Sequence, residues 1–399
     1  MAEPTNTPVP ASTPRSSSPV GGGSGGGHHP NAPIIPITSL PHSPLAAAFA
    51  PSRRRVLHIG DPVKYNLGTY AQFSAQCEII RPEAHERERT AFLQALREKR
   101  WGDFHAIFRP FWGTGGEMGR WDAELINALP STVKVFASAG AGFDWADTKL
   151  LGERGIVYCN SGLAAAEAVA DFAIAMIIST FRLLPWCISA ASSGDTVEFQ
   201  DCHENATIKS HNLRGHKVGL IGLGRIGQQI AKRCRFGFGM DIWYYDVAEM
   251  PKSVTESLEA KTCASLEELV GSVDVAILCA PAIPGATSAL ITARELGCFR
   301  DGARFVNVAR GSLVDEEAVA NALDSGKLSS VALDVHPREP SISDRLREHA
   351  KTGRAMLTCH NAGGTVETHI GFEELSMRNV MAVLGGQMAI TPVNMQYLR

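Results

Sequence analysis

Three charged residues each follow a short apolar segment in the second half of the chain: Arg310, Glu339 and His360. A guanidinium can bind a carboxylate through two parallel hydrogen bonds and polarise a neighbouring keto oxygen. A histidine held by a carboxylate can exchange a proton with that oxygen. Each residue alone is more often a solvated arginine, an exposed acid or a histidine satisfied under a turn. If the apolar segments are parallel strands, however, the three side chains meet in one ligand crevice at the edge of the sheet.

The stretch 217–246 predicts the element beside which these groups would act. An apolar run enters Gly222, Gly224 and Gly227 in G-x-G-x-x-G spacing, a helical segment follows, and a second apolar run ends on Asp246. This order indicates strand, tight turn, helix and strand, in which backbone amides approach a pyrophosphate and the acid holds a ribose. In isolation the glycines are as typical of an ordinary turn, but the framing strands and the acid favour a dinucleotide. Asp246 would also repel a ribose 2′-phosphate, which predicts NAD rather than NADP.

Apolar runs alternate with helical segments along most of the chain, which is the pattern of parallel α/β sheets. The runs are VLHIG, HAIFR, VKVFAS and GIVYC in the first half and VDVAILCA, ARFVNVA, SSVALDV and AMLTC in the second. Residues 164–184 are apolar on nearly every face, which predicts a helix buried between two bodies. A last helix is expected over 365–384, whereas the polar stretch 192–216 looks like an extended arm.

The length of 399 residues predicts two domains. We expect an α/β protein with two Rossmann-like or flavodoxin-like parallel-sheet domains and a cleft between them. Residues 54–180, completed by 365–399, would form the substrate-binding catalytic domain, and 181–364 the NAD-binding Rossmann domain. Residues 1–53 are rich in Pro, Gly and Ser and are expected to be a disordered tail.

The composition argues against several classes of partner. With 44% hydrophobic and 20% charged residues and a net charge of −3, the chain offers no general attraction to nucleic acid or to a membrane surface. We expect no apolar run to approach the roughly 18 residues of a membrane span. The nine cysteines contain no C-x-x-C pair, and no metal-ligand cluster is legible. A cytoplasmic protein is expected; an organellar transit peptide in the arginine-containing tail is the alternative.

Beyond these patterns, the chain resembles the D-isomer-specific 2-hydroxyacid dehydrogenases over about residues 55–392, most closely their fungal D-mandelate dehydrogenase branch. The matching stretches are ALREKRWGDFHAI, FASAGAGFDW, AEAVADFAIAM, GLIGLGRIGQQIA, NVARGSLVDEEA, ALDVHPREP and CHNAGGTVETHIGFEELSMRNV. The resemblance implies an NAD-dependent oxidoreductase that transfers hydride between nicotinamide and a 2-keto or 2-hydroxy acid. It also implies a homodimer.

The resemblance implies a role for individual residues. Arg310, Glu339 and His360 match the family's catalytic arginine, acid and histidine, and Asp334 matches the acid near the nicotinamide carboxamide. The backbone of Ala141 and Gly142 matches the donors to the substrate carboxylate. The full set of expected cofactor-binding residues is Gly222, Gly224, Arg225, Ile226, Gly227, Asp246, Pro281, Ala309, Asp334, His360 and Gly363.

The prediction of which 2-keto or 2-hydroxy acid is the substrate rests on a weaker observation. The loop after HAIFR carries Phe111 and Trp112, which could form an apolar wall opposite the nicotinamide and select a bulky side chain, or could simply pack under the loop. A glyoxylate or hydroxypyruvate reductase for small acids is one alternative. The other is an NAD(H)-sensing, corepressor-like interaction protein that shares the fold.

Overall fold

The computed structural model describes residues 53–110, 118–282 and 288–399. It confirms the predicted α/β fold with two parallel sheets. The first sheet has five strands in the order β2-β1-β3-β4-β5. Their bounds are β1 (Arg54–His58), β2 (Cys77–Ile80), β3 (Ala106–Arg109), β4 (Val135–Ser138) and β5 (Val157–Cys159).

The second sheet has seven strands in the order β12-β11-β10-β9-β6-β7-β8, all parallel. Their bounds are β6 (Lys217–Ile221), β7 (Asp241–Tyr245), β8 (Lys261–Thr262), β9 (Val275–Leu278), β10 (Ala303–Asn307), β11 (Leu328–Leu333) and β12 (Ala355–Leu357). The strand order reverses between β6 and β9. In open parallel sheets, ligands bind outside the carboxyl ends of the strands at such a reversal.

Helices cover the faces of both sheets. Fourteen α-helices lie in the described part of the chain. They are α1 (Leu67–Gln76), α2 (Arg89–Arg97), α3 (Ala123–Ala128), α4 (Thr148–Glu153), α5 (Gly162–Arg182), α6 (Leu184–Ser193), α7 (Thr196–Thr207), α8 (Arg225–Lys232), α9 (Lys252–Ser257), α10 (Leu266–Ser272), α11 (Ala293–Cys298), α12 (Glu316–Asp324), α13 (Asp344–Lys351) and α14 (Val366–Leu384).

Of the ten strands that the apolar runs predicted, eight lie in the sheet interiors and two, β5 and β12, lie at sheet edges. Four of them, β3, β4, β9 and β10, are buried along their whole length, because helices cover both faces of each sheet. The two strands not predicted, β2 and β8, are both at sheet edges. An edge strand has only one neighbour, so it needs no continuous apolar run, and the two residues of β8 are both exposed.

Helix α5 corrects the expectation that no segment approaches the length of a membrane span. By length and composition alone, Gly162–Arg182 is apolar enough to cross a membrane, although buried core helices of soluble proteins meet the same test. In the structure it packs against β10, β11, α8 and α14. Its buried side chains include Met176, Ile177 and Phe181, which belong to the core of the second sheet.

The expected extended arm at 192–216 is wrong over much of its length, because Thr196–Thr207 forms α7. The Asp195 side chain begins this helix by accepting hydrogen bonds from the backbone amides of Val197 and Glu198. Only Cys202 and Ala206 of the helix are buried. The apolar pattern is therefore too sparse to predict a helix from periodicity.

The C-terminal helix returns to the first sheet. Helix α14 packs against β3, β4 and α1, with Met377 and Val380 fully buried among their side chains. Its Glu373 is 2% exposed and accepts hydrogen bonds from the backbone amides of Lys64 and Tyr65 at 2.7 and 2.9 Å. These bonds attach the end of the chain to the loop before α1.

All nine cysteines are free thiols. Five are buried, as expected of small apolar side chains: Cys77, Cys159, Cys202, Cys234 and Cys263. Burial raises the pKa of the Cys159 and Cys234 thiols to about 12. Such thiols are unreactive near neutral pH.

Candidate active site

The three charged residues predicted from the sequence line one cavity at the carboxyl ends of the second sheet. Arg310 follows β10, Glu339 follows β11 and His360 follows β12. The cavity has a volume of about 470 Å³. Its other walls include the loop 139–145 after β4, so both sheets contribute to it.

His360 and Glu339 form a hydrogen-bonded pair, with 2.9 Å between His360 Nδ1 and Glu339 Oε2. The second oxygen, Oε1, accepts a hydrogen bond from the backbone amide of His336 at 2.8 Å. Burial of the carboxyl opposes its ionisation and is the largest single influence on it. The hydrogen bonds from His336 and His360 outweigh that influence, so the pKa of Glu339 is lowered. Glu339 is therefore a carboxylate at neutral pH.

The backbone around His360 is held by Asp334, which is 1% exposed. The amide of His360, whose φ is +54°, donates to the Asp334 carbonyl at 2.7 Å. The Asp334 carboxylate accepts hydrogen bonds from the Thr358 hydroxyl at 2.7 Å and from the amides of Asn361 and Ala362, each at 2.9 Å. Asp334 thus fixes the turn that carries the histidine, and the residue also lines the cavity.

A second, buried histidine supports the loop that carries Glu339. His336 Nδ1 lies 3.2 Å from Glu316 Oε1, and its Nε2 lies 3.0 Å from the Thr358 carbonyl oxygen. Both side chains are almost fully buried. The imidazole therefore joins α12 to the ends of β11 and β12, which positions Glu339 and His360 relative to each other.

Arg310 is oriented by three groups. Its Nε donates to Asp144 Oδ1 at 3.0 Å, and its Nη1 donates to the Ala309 carbonyl at 2.7 Å. Asn307 braces the loop, since its side chain accepts from the Ala309 amide and donates to the Arg310 carbonyl. Among the described residues, no acceptor is bonded to Nη2, so this end of the guanidinium is available to a substrate.

Gly142 lies directly against that end of Arg310. A Cβ at this position would come within 1.3 Å of Arg310 Nη2. Within the described part of the chain, the amides of Ala141 and Gly142 donate to no protein acceptor. The Ala141 carbonyl is held by the Asn160 side chain at 2.8 Å. Two amides and a guanidinium thus converge on one place, which suits a carboxylate.

The glycine loop fits a dinucleotide. Gly222 has a φ of +98°, and a Cβ at Gly227 would lie 2.3 Å from the Gly222 carbonyl oxygen, so helix α8 can approach the loop only with glycine there. A Cβ at Gly224 would meet nothing within 4 Å, so that face of the loop is open. In the described chain the amides of Gly224, Arg225 and Ile226 have no protein acceptor. Such amides at a helix N-terminus bind phosphate.

Asp246 lies after β7 and contacts this loop. Its Oδ2 accepts from the Leu223 amide at 2.7 Å, and its Oδ1 accepts from the Ala248 amide at 2.9 Å. Each oxygen keeps a lone pair for a ribose hydroxyl. The carboxylate therefore holds the loop in shape at the place where the sequence pattern expects a ribose.

The structure brings some predicted site residues together and leaves others apart. The 470 Å³ cavity is lined by Ala141, Gly142, Ile226, Arg310, Asp334, Glu339, His360 and Gly363. The residues that do not line it follow β6, β7, β9 and β10: Gly222, Gly224, Arg225, Gly227, Asp246, Pro281 and Ala309. Phe111, Trp112 and the tail 1–52 lie outside the described residues. In residues 53–110, 118–282 and 288–399, no group of three or more His, Cys, Asp or Glu could hold a metal.

Sequence reasoning missed the residues that orient Arg310, Glu339 and His360. These are Asp144, Asn307, Glu316, His336 and Thr358. Asp144 had a usable signal, because it is an acid in the turn after a buried strand of the first sheet. Glu316 had none, since it reads as one more acid in the first turn of a helix.

Comparison with known proteins agrees with this geometry. Residues 174–362 match the model of the D-isomer specific 2-hydroxyacid dehydrogenase NAD binding domain. A 4-methyl-2-oxopentanoate reductase A of Aspergillus oryzae is 32% identical over 305 residues, which are 76% of this chain and 88% of that protein.

Two solved structures are similar over nearly their whole length. D-mandelate dehydrogenase of Rhodotorula graminis has a TM-score of 0.80 and 40% identity, over 86% of this chain and 98% of that one. A glyoxylate reductase of Paecilomyes thermophila has a TM-score of 0.77 and 33% identity, over 86% of this chain and 99% of that one. The chain therefore belongs to the D-isomer specific 2-hydroxyacid dehydrogenase family, and the cofactor of its nucleotide-binding domain is NAD.

Proposed function

We propose that this protein is an NAD-dependent D-2-hydroxyacid dehydrogenase, or 2-ketoacid reductase, that prefers acids with a bulky side chain. The observation that carries the reaction type is the hydrogen-bonded His360–Glu339 pair, which shares one cavity with Arg310 beside the glycine loop. Cation, proton donor and dinucleotide loop are the groups that reduction of a 2-ketoacid requires.

Arg310 and the loop of the first sheet bind the substrate carboxylate. The Nη2 end of the guanidinium and the amides of Ala141 and Gly142 donate hydrogen bonds to its oxygens. Asp144 and Ala309 keep the guanidinium in this orientation. The keto carbon is thereby held at a fixed position between Arg310 and His360.

His360 exchanges a proton with the substrate oxygen. Since Nδ1 is bonded to Glu339, Nε2 is the atom that exchanges the proton. It donates a proton to the keto oxygen during reduction and accepts one from the hydroxyl during oxidation. Glu339, held ionised by its hydrogen bonds, stabilises the charged imidazolium before the transfer. The bound nicotinamide supplies or accepts the hydride.

The preferred cofactor is NAD rather than NADP. Asp246 would repel a ribose 2′-phosphate, and the next three residues, Val247, Ala248 and Glu249, offer no cation to receive one. Catalytic efficiency should therefore be much lower with NADPH than with NADH. The variant Asp246→Ala should narrow the gap, and equal efficiency of the wild-type protein with both cofactors would contradict the assignment.

A bulky substrate is supported by the cavity walls and by the relatives. Trp145, Val169 and Phe372 give the cavity apolar walls in the described part of the chain. Two of the similar proteins are named for mandelate and 4-methyl-2-oxopentanoate, whose side chains are aromatic and branched. Burial of such a side chain contributes roughly 1.5 to 3 kcal/mol, which corresponds to about ten- to a hundredfold in catalytic efficiency.

A glyoxylate or hydroxypyruvate reductase is the second candidate, because glyoxylate reductases are also among the similar proteins. The test is NADH oxidation with phenylglyoxylate, phenylpyruvate and 2-ketoisocaproate against glyoxylate, pyruvate and hydroxypyruvate. We expect the first group to be reduced with higher kcat/KM. Preference for the small acids would favour the second candidate, and NADH binding without turnover of any 2-ketoacid would favour a corepressor-like sensor.

The same proposal covers domain roles and assembly. Residues 54–180 with 365–399 form the substrate-binding catalytic domain, residues 181–364 form the NAD-binding domain, which also supplies Arg310 to the substrate, and the protein is a cytoplasmic homodimer. The dimer is supported by four exposed apolar side chains on and next to α6 and α7: Ile188, Val197, Phe199 and Ile208. Sedimentation of the wild type against the variant Val197→Asp/Phe199→Asp tests it, since a monomeric wild type would refute the dimer.

A further inference from the structure

A second cavity, of about 710 Å³, lies at the opposite edge of the second sheet, where the strands begin. Arg304 near the start of β10, Ser329 and Ser330 near the start of β11, and Arg354 just before β12 line one side of it. The end of α5 and helices α6, α7 and α13 line the rest. No residue of the candidate active site lines this cavity.

Arg304 is the unusual member of this wall. The residue is only 8% exposed, and its guanidinium carbon lies 4.0 Å from the centre of the Phe181 ring. The Nε donates to the Thr180 carbonyl at 3.2 Å. In the described part of the chain, its two terminal amino groups make no hydrogen bond or ion pair with the protein.

Asp274, the acid whose charge acts on Arg304, forms no ion pair with it. Asp274 is bonded instead to Arg300 Nη1 and to the amide of Lys217, each at 2.7 Å. Burial lowers the pKa of Arg304, with Asp274 opposing that shift, but an arginine keeps its charge in proteins. A buried cation without an acid is costly to a folded protein, unless an anion from solution accompanies it.

The other charges around the cavity are also mostly positive. Lys209 lies with its Nζ 5.6 Å from the Trp186 ring centre, and Lys351 and Arg354 complete a set of four cations with Arg304. The Nε and Nη2 atoms of Arg354 donate hydrogen bonds to backbone carbonyls, and Lys351 forms an ion pair with Glu348 at 2.7 Å. Asp201 is the acid that lines the cavity. The excess of cations favours a ligand with more than one negative charge.

From the unpaired Arg304 and the cations around it, we infer that this cavity binds a small multivalent oxyanion, a phosphate ester or a polycarboxylate. The site is independent of the dehydrogenase reaction. Its ligand would stabilise the starts of β10, β11 and β12, whose opposite ends lead to Arg310, Glu339 and His360.

The test is thermal unfolding and calorimetric titration of the full chain with inorganic phosphate and with citrate. Saturating NADH occupies the glycine loop, and sodium chloride keeps the ionic strength constant. We expect one anion or both to raise Tm on the order of 2 to 4 °C beyond the chloride control. The better of the two probes indicates whether phosphate esters or polycarboxylates are the ligand class. No rise with either anion would overturn the inference.

Variants decide whether the rise comes from this cavity. The double variant Lys209→Met/Lys351→Met removes two exposed cations and should abolish most of the rise, whereas Lys149→Met, on α4, should keep all of it. Arg304→Met should also abolish it. Because that change removes an unpaired buried cation, the variant should melt no earlier than the anion-free wild type. An undiminished rise in the double variant would refute the site.

Discussion

The two sheets supply the candidate active site with different kinds of group. The second sheet supplies ionisable side chains at three neighbouring strand ends: Arg310, Glu339 and His360. The first sheet supplies the backbone of Ala141 and Gly142 and one acid, Asp144, in the loop after β4. In the proposed mechanism, the side chains that transfer or hold protons thus belong to the second sheet, and the backbone amides that bind the substrate carboxylate belong to the first.

This difference separates two kinds of kinetic effect. A group that transfers a proton acts in the transition state, so its loss lowers kcat. A group that only holds the substrate carboxylate acts equally in the ground state, so its loss mainly raises KM. Substitutions of His360 and Glu339 on the second sheet should therefore lower kcat, and substitutions in the first-sheet loop should raise KM.

The largest effect is expected for His360→Ala, on the second sheet. Loss of a general acid-base group typically lowers turnover by about 10²- to 10⁴-fold, and NADH binding, followed by fluorescence titration, should stay near the wild-type value. His349→Ala, which removes a histidine on α13 outside the cavity, is the control and should be fully active. If His360→Ala kept the wild-type kcat, His360 would not be the proton donor, and the second sheet would not supply the group that transfers the proton.

Gly142→Ala should give the next largest effect, although it adds only a methyl group. The new Cβ would meet Arg310 Nη2 at 1.3 Å, so the guanidinium must move away from the carboxylate position. Loss of a charged hydrogen bond costs about 1.5 to 3 kcal/mol, or roughly ten- to 150-fold in kcat/KM, mostly through KM. Gly68→Ala on α1 is the matched control, because its Cβ meets nothing within 4 Å. Equal kinetics of both variants would show that Arg310 does not hold the substrate.

Glu339→Gln should change the pH dependence of reduction. The pKa of Glu339 is lowered from an ordinary value of 4.5, so the carboxylate stays charged at every pH above that value and is neutralised only in stronger acid. The amide carries no charge, so it cannot stabilise an imidazolium as a carboxylate does. The kcat of the variant should therefore be roughly tenfold lower near neutral pH, and the loss of activity that follows protonation of Glu339 below pH 4.5 in the wild type should be absent from the variant. A wild-type kcat with an unchanged acid limb would leave Glu339 with a structural role alone.

The smallest effect is expected for Asp144→Asn, in the first-sheet loop. Arg310 and Asp144 are 26% and 33% exposed, and ion pairs of this kind contribute about 0.2 to 1 kcal/mol. KM should rise only about two- to fivefold, with kcat unchanged. Asp301→Asn, which breaks the surface pair with Lys327, is the control. A large fall in kcat would mean that Asp144 takes part in the chemical step. Substrate binding and proton transfer would then not be separated between the two sheets.

The sequence by itself determined the elements whose residues are neighbours in the chain. The glycine loop, its flanking strands and Asp246 lie within 30 residues, and their spacing follows from the geometry of one strand, one turn and one helix. Buried parallel strands are covered on both faces, so they read as apolar runs, and polar residues in the loops that follow such runs lie near the carboxyl ends of the strands. That reasoning was enough to bring Arg310, Glu339 and His360 together.

Only the tertiary structure decided what those residues touch. Asp144 and Arg310 meet across 166 positions, and Glu316 and His336 meet because α12 packs beside the end of β11. Helix α7 forms although its sequence lacks an apolar face, and Arg304 is buried against the Phe181 ring without an ion pair in the described part of the chain. Local spacing predicts on which element, and near which end of it, a side chain lies. The partners of that side chain depend on how distant elements pack, and no local pattern encodes that packing.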